Sequence, residues 1–309
     1  MKRATAPARP LIALGAGLAA VGTAALLGLP NLAKAPEARL TAAASAPPEG
    51  AYWHTRVLTK HPEHRQLGSG ANLYTVVQQS LVEEWTAPDG RRWVGSRELG
   101  AYPQSAADRA AWRRDGSPTK WTRTANGQTV SLSTKPAKGH VTPVRGDNTF
   151  FLLGQRLTYD EVQRLPANPE ALKAWLTQAA RVSQMSEASV DRNITSALPS
   201  LLHELPAPKE VRAAAYQALL TMPGVTSRGK SVDGAGRTGA ALSIEYQLPG
   251  QKETIKVTTD LVVDTGTMLL LSDSQTTLRN GKVFLNKTMS QTVLQAGWTN
   301  TEPVVPALP

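Results

Sequence analysis

Tyr74-Thr75-Val76-Val77-Gln78-Gln79-Ser80-Leu81-Val82-Glu83-Glu84-Trp85 is the stretch on which the fold turns. Its apolar residues alternate: Val77, Leu81 and Trp85 share one parity, and Tyr74, Val76 and Val82 the other. A period of two, carried by β-branched and aromatic side chains, marks a strand. Ala87-Pro88-Asp89-Gly90 then supplies a turn tetrad, with proline presetting φ and glycine free to take a positive one. Residues 91–98 return along it, so the segment reads as a β-hairpin. Glu83 and Glu84 are neighbours on a strand, so they face opposite ways and do not make a catalytic pair.

The same reading extends in both directions. Upstream, Trp53, Val57 and Leu58 open another strand-like run. Downstream, residues 105–114 read as a short helix ended by Gly116-Ser117-Pro118, and Asn126-Gly127 marks a second hairpin. The centre turns helical. Thr158 with Glu161 fits a capping box, and Asn168 before Pro169 fits an N-cap with proline at the first helical position. Leu172, Trp175, Leu176 and Ala179 repeat at helical spacing, as do Val190, Ile194, Leu198 and Leu201, where Pro199 should kink the helix. Pro208 opens a further helix with Val211, Ala215, Leu219 and Met222 on one face. The last third returns to strands over 225–231, 241–247, 254–263, 267–276 and 282–288, an antiparallel meander. Strands, a helical insert and strands again give an α+β domain in which helices cover one face of a curved antiparallel sheet.

Composition narrows the function. The chain has 309 residues, 41% of them hydrophobic and 19% charged, enough apolar surface for a real core. It has no cysteine, which excludes disulfide frameworks, thiolate metal sites and cysteine nucleophiles. The net charge of +10 is spread thinly, with Arg91-Arg92 and Arg113-Arg114 as isolated pairs, so no basic stripe for nucleic acid is present.

Lys2, Arg3 and Arg9 precede an uncharged apolar run over residues 11–29. As a helix that run spans about 28 Å, close to the hydrocarbon thickness of a bilayer. It reads as a retained transmembrane signal-anchor with residues 1–10 cytoplasmic, or as a cleaved signal peptide. Either way the expectation is an extracytoplasmic domain at the plasma membrane. Residues 30–50 are an Ala/Pro-rich tether, 51–300 the domain and 301–309 a flexible tail.

Several strings resemble chemistry. Leu261-Val262-Val263-Asp264-Thr265-Gly266 has the apolar-apolar-Asp-Thr-Gly form of an aspartic protease loop, in single copy; the other reading is a hairpin turn closed by the aspartate. Gly234, Gly236 and Gly239 spell G-x-G-x-x-G, but a strand-like run follows where a dinucleotide site needs a helix. His61 and His64 are spaced as H-x-x-H, with Pro62 between them and no third ligand nearby. His54, His140 and His203 stand alone. Trp85, Trp93 and Trp121 sit on predicted strands, where they either line an apolar cavity or pack beneath the helices. They are the candidate ligand-binding residues; no catalytic residue, metal or cofactor is assigned.

Tyr52-Trp53-His54, Glu84-Trp85, Asp89-Gly90-Arg91-Arg92-Trp93, residues 111–118, Leu165 to Leu172 with Trp175-Leu176, and Val211 to Leu219 with Met222-Pro223-Gly224-Val225 together resemble an actinobacterial family of single-pass membrane proteins with an outer domain of unknown function. The Asp-Thr-Gly hairpin also resembles the lipoprotein-carrier half-barrel superfamily, which includes periplasmic regulators of sigma-factor signalling. That resemblance implies a half-barrel with helices across its concave face and a cavity for acyl chains, and no catalytic residues. Three functional readings follow: a membrane-tethered domain that binds or senses a ligand, a lipid or lipoprotein acyl chain among them; a structural or interaction protein of the cell envelope with a protein partner; and an aspartic hydrolase using Asp264.

Overall fold

A computed structural model describes residues 49–309 apart from 64–65, 126–127, 147, 249–252 and 285–287. The opening hairpin is there. Strand β2 (Val76–Thr86) pairs antiparallel with β3 (Arg92–Pro103), Trp85 opposite Trp93. Its turn closes with Gly90 N–H on the Ala87 carbonyl at 2.9 Å, and Gly90 takes φ +82°. A side chain at that glycine would strike the Asn148 carbonyl, so the position needs glycine twice over.

The hairpin is one part of a ten-stranded sheet. Strands β1 (Tyr52–Pro62), β6 (His140–Pro143), β9 (Val225–Val232), β10 (Thr238–Gln247), β11 (Ile255–Asp264), β12 (Leu269–Arg279), β13 (Lys282–Val283) and β14 (Met289–Thr299) complete it. The order is β6-β3-β2-β1-β14-β12-β11-β10-β9, with β13 paired to β12. The last strand therefore sits between the first strand and the C-terminal meander. Two small ribbons stand apart: β4 (Lys120–Ala125) with β5 (Gln128–Ser133), and β7 (Phe150–Leu152) with β8 (Gln155–Leu157). The Asn126-Gly127 turn lies outside the described residues, but the strands it joins pair as far as Ala125 opposite Gln128.

The helices are α1 (Ala106–Arg114), α2 (Tyr159–Gln163), α3 (Pro169–Val182), α4 (Val190–Ala197) and α5 (Lys209–Leu220). The caps are the expected ones. Thr158 and Glu161 bond reciprocally at the head of α2, and Asn168 accepts from Glu170 N–H and Ala171 N–H at the head of α3. Pro199 does more than kink its helix. It lacks an N–H and crowds the preceding turn, so α4 stops at Ala197 and a 3₁₀ segment, Leu198–Leu202, continues.

The insert packs against one face of the sheet. Leu172, Leu176, Leu198, Leu201, Leu202 and Leu219 are fully buried. They share a cluster with Leu242 and Ile244 of β10, Leu261 and Val263 of β11, Leu270 of β12 and Val293 of β14. Leu242 lies opposite Leu261, and Val263 opposite Leu270, so these residues form one continuous apolar surface. Burying such a surface at about 25 cal/mol per Å² is what holds the insert on the sheet.

Two expectations change here. The curved antiparallel sheet with a helical insert is as expected, but the expected membrane-spanning helix is not found among the described residues. The segment 11–29 lies outside the described residues. Among these, no helix is long and apolar enough to cross a membrane. The longest, α3, has 14 residues, about 21 Å at 1.5 Å per residue, against a core near 30 Å. The membrane as partner and the single-pass placement at the plasma membrane are set aside with it. The meander also differs. Its final strand, expected over 282–288, is described as β13 at Lys282–Val283, with 285–287 outside the described residues, and the long central strand β14 follows.

Candidate functional site

Tyr52, His54 and Arg56 of β1, Glu83 and Trp85 of β2, and Trp93, Gly95 and Arg97 of β3 project from the face opposite the insert, as the register and the two-residue period place them. Glu83 is buried, and two partners hold it. His54 Nε2 lies 2.9 Å from Glu83 Oε2, and Arg56 Nη1 lies 3.5 Å from Glu83 Oε1. The His54 ring stacks on Trp85 with centroids 4.6 Å apart and planes 14° from parallel. Tyr52 meets Trp93 edge-on at 5.5 Å, and the Arg91 guanidinium lies 5.6 Å from the Trp93 centroid. The result is an aromatic shelf with a fixed guanidinium beside it. The indole N–H of Trp85 and Nε of Arg97 are buried and make no hydrogen bond among the described residues.

Residues after β14 lie on this shelf. Residues 301–309, expected as a flexible tail, leave β14 and cross back over the sheet without helix or strand. Val305 comes against Gly139 and Arg97. Pro306 is buried, its Cδ 2.9 Å from where a Cβ on Gly95 would stand, with Trp85 on the same position at 3.2 Å. Arg56 Nη2 donates to the Ala307 carbonyl at 3.0 Å.

The three candidate tryptophans divide. Trp85 and Trp93 are cross-strand partners on this face. Trp121 is on β4, where its indole donates to the Tyr74 hydroxyl at 3.0 Å beside a separate small cluster of Tyr74, Val76, Ala101, Ala111 and Leu132. The three do not line one cavity. The sheet face expected to cradle acyl chains is filled by the insert's own side chains. That packing corrects the reading of the chain as a membrane-tethered lipid sensor.

The remaining motifs resolve locally. Asp264 Oδ1 accepts from Gly266 N–H at 2.8 Å and Oδ2 from the Thr267 hydroxyl at 2.6 Å. These bonds, Thr267's first, hold the Asp264 carboxyl below the ordinary range, the reverse of what a proton-sharing aspartate needs. The G-x-G-x-x-G string is the β9–β10 turn: Gly236 has φ +84°, and side chains at Gly234 and Gly239 would strike Thr292 and the Val263 carbonyl. His64 lies outside the described residues, among which no group of histidines and acids is placed to hold a metal.

Sequence reading missed a second polar region, on the insert side. Burial raises the Glu84 carboxyl above its usual range and Glu204 raises it further, while Arg92 and His203 oppose. Burial likewise pushes Asp273 up to about 6, with His203 lowering and Glu204 raising it. Asp273 lies opposite Leu261, which points to the insert. Trp53 ties the region together by donating its indole N–H to the His203 carbonyl at 2.8 Å. An open groove of about 480 Å³ also runs beside β9, lined by Lys60, Arg228, Lys230, Asp233, Ser274 and Ser290 among others.

No family model and no curated protein matches the chain. Among solved structures it is similar to a β-barrel-like protein, a domain of unknown function DUF1849 from Brucella abortus. Identity is 9% over 81% of this chain and 99% of that one, with a TM-score of 0.21. At that score the likeness carries no argument. The resemblance to an actinobacterial single-pass membrane family and to the lipoprotein-carrier half-barrels is not upheld: no family model matches the chain.

Proposed function

We propose that this chain is a non-catalytic interaction protein whose shelf of Trp85, Trp93, His54, Glu83 and Arg56 receives an extended segment of a protein partner. One observation carries the reading: the chain's own tail lies across that shelf, with Pro306 buried against Gly95 and Trp85 and the Ala307 carbonyl bonded to Arg56. An extended segment has free carbonyls and little internal structure, so it needs side-chain donors and flat apolar surface. The shelf supplies both. Arg56 is pre-oriented by Glu83, which limits the entropy lost when it binds a carbonyl. The Asp264 carboxylate is committed to its own turn, which leaves the hydrolase reading without its reacting group.

Photo-crosslinking tests this. A photoreactive residue at Arg91, exposed beside Trp93, is expected to give a discrete protein adduct in cells of the source organism. Trp93→Glu should abolish the adduct while leaving the far-UV spectrum unchanged. Adducts indifferent to Trp93→Glu, or a lipid copurifying at equal molar amount, would count against the proposal.

A further inference from the structure

We infer that the segment this shelf is shaped for is proline-rich, with a proline at every third residue, and that the chain's own residues 301–309 occupy it as a displaceable strap. The inference rests on the interaction reading above and names the chemistry of the partner.

The tail reads Thr301-Glu302-Pro303-Val304-Val305-Pro306-Ala307-Leu308-Pro309. Its prolines fall at 303, 306 and 309. A polyproline II helix has three residues per turn, so prolines at this spacing share one edge. The burial follows that edge over its first two prolines: Pro306 is buried and Pro303 half-buried, whereas Pro309 is exposed and Val304, Val305 and Leu308 are 53%, 39% and 52% exposed. All three aliphatic side chains are more exposed than Pro303 or Pro306, although Val305 touches Gly139, so the face favours the proline edge over apolarity as such.

The receiving surface has the parts that proline-rich recognition requires. Polyproline II makes no internal hydrogen bonds, so its carbonyls are free for side-chain donors. Arg56 already serves one of them. The Trp85 ring supplies the flat apolar face beside it, its Cζ3 edge and the Pro306 ring meeting over Gly95. Gly95 forms the slot: it lies in regular strand conformation, where other residues fit the backbone, yet any Cβ would meet the Pro306 ring at 2.9 Å. The side chain missing there matches a ring present on the tail.

A tethered occupant competes at high effective concentration, in the millimolar range for a short connection. A free proline-rich segment therefore binds weakly while the strap is in place and more tightly once it is out.

The test uses a fluorescent peptide of residues 300–309 and a counterpart with its three prolines changed to alanine. Each is titrated by fluorescence anisotropy against the full chain, against the chain ending at Asn300, and against the full-length Pro303→Ala, Pro306→Ala double variant. The double variant keeps the site testable should the shortened chain misfold. The proline peptide is expected to bind at least about tenfold more tightly to the shortened chain or the double variant than to the full chain. The alanine peptide should lose at least about tenfold, and Gly95→Ala in the opened chains should weaken the proline peptide about fivefold or more.

Equal binding of the two peptides would overturn the proline-rich assignment and leave the docking of an extended segment standing. Equal binding to the full and opened chains would overturn the strap. No binding to opened chains of unchanged melting temperature would overturn both this inference and the reading beneath it. A wild-type dimer that dissociates on loss of the tail would give the site to a second copy and overturn the strap in cis.

Discussion

Glu83 and Glu84 show how much one residue position decides. Adjacent on β2, they face opposite sides. Glu83 is held by His54 and Arg56 beneath the tail, while Glu84 lies toward the insert with Asp273, where burial raises both carboxyls. Asp273 gives a signed prediction. Its folded-state pKa of about 6 stands above the ordinary 3.8, so the folded chain holds a proton that the unfolded chain has released between those values. The stabilising contribution is full below about pH 4 and is lost as pH rises through 6; above that the buried charge is a burden. Asp273→Asn removes the charge and keeps an acceptor. It should raise stability by about 2 kcal/mol near pH 8 and leave it unchanged near pH 4, as read by urea denaturation at both. An equal effect at the two pH values would mean that charge is not what Asp273 contributes. At this scale the sequence was legible in part. The opposite facing of Glu83 and Glu84 follows from the strand period. The partners of His54 and Asp273 do not, because cross-strand register and the docking of His203 are set by tertiary packing.

The β9–β10 turn carries the argument at the scale of an element. Its three glycines look like a phosphate loop in sequence, yet Gly236 serves the turn with its positive φ, while Gly234 and Gly239 make room for Thr292 of β14 and the Val263 carbonyl of β11. What fixes the turn is Arg237. It donates to Asp233 through Nε at 2.8 Å and Nη2 at 2.5 Å, and the same Nη2 reaches the carbonyls of Val293 at 2.6 Å and Leu271 at 3.2 Å. One planar guanidinium thus clips the hairpin to β14 and β12. Lysine has no second nitrogen to hold Asp233 while the first reaches the two carbonyls, and its ammonium is not fixed in a plane. Arg237→Lys should therefore cost about 2 kcal/mol in chemical denaturation, close to the cost of Arg237→Ala. A lysine variant within about 0.5 kcal/mol of wild type would show that the charge alone suffices. The capped helices were legible because caps are local: Thr158 with Glu161 and Asn168 with Pro169 announce themselves. Strand β14 was not. Met289–Thr299 has no sustained apolar alternation, since it draws its stability from a neighbour on each side rather than from an apolar face of its own.

At the scale of the whole molecule, β14 is the joint. In the sheet of the described residues it is the strand that links β1, and through it β2, β3 and β6, to the meander of β9 to β12. The first strand of the domain thus completes its pairing only when the last is made. The helical insert then has a continuous surface to pack on, and the tail that follows β14 reaches its shelf. So non-local a topology should fold slowly, on the scale of about milliseconds to seconds. It should also unfold as a unit, because neither half of the sheet keeps its neighbours alone. Val293→Pro tests this directly. Val293 is buried against the insert, pairs with Val57 of β1, and offers its carbonyl to Arg237. Proline there removes a ladder donor from a central strand and the buried side chain with it, a loss of about 3 kcal/mol or more. If β14 is the joint, far-UV circular dichroism from the helices and tryptophan fluorescence dominated by buried Trp53 and Trp85 should shift along a single denaturation curve, displaced to lower denaturant. Should the tryptophan signal of β1 and β2 persist after the helical signal is gone, the two halves of the sheet would be separate folding units, and the tail's shelf would stand without the meander.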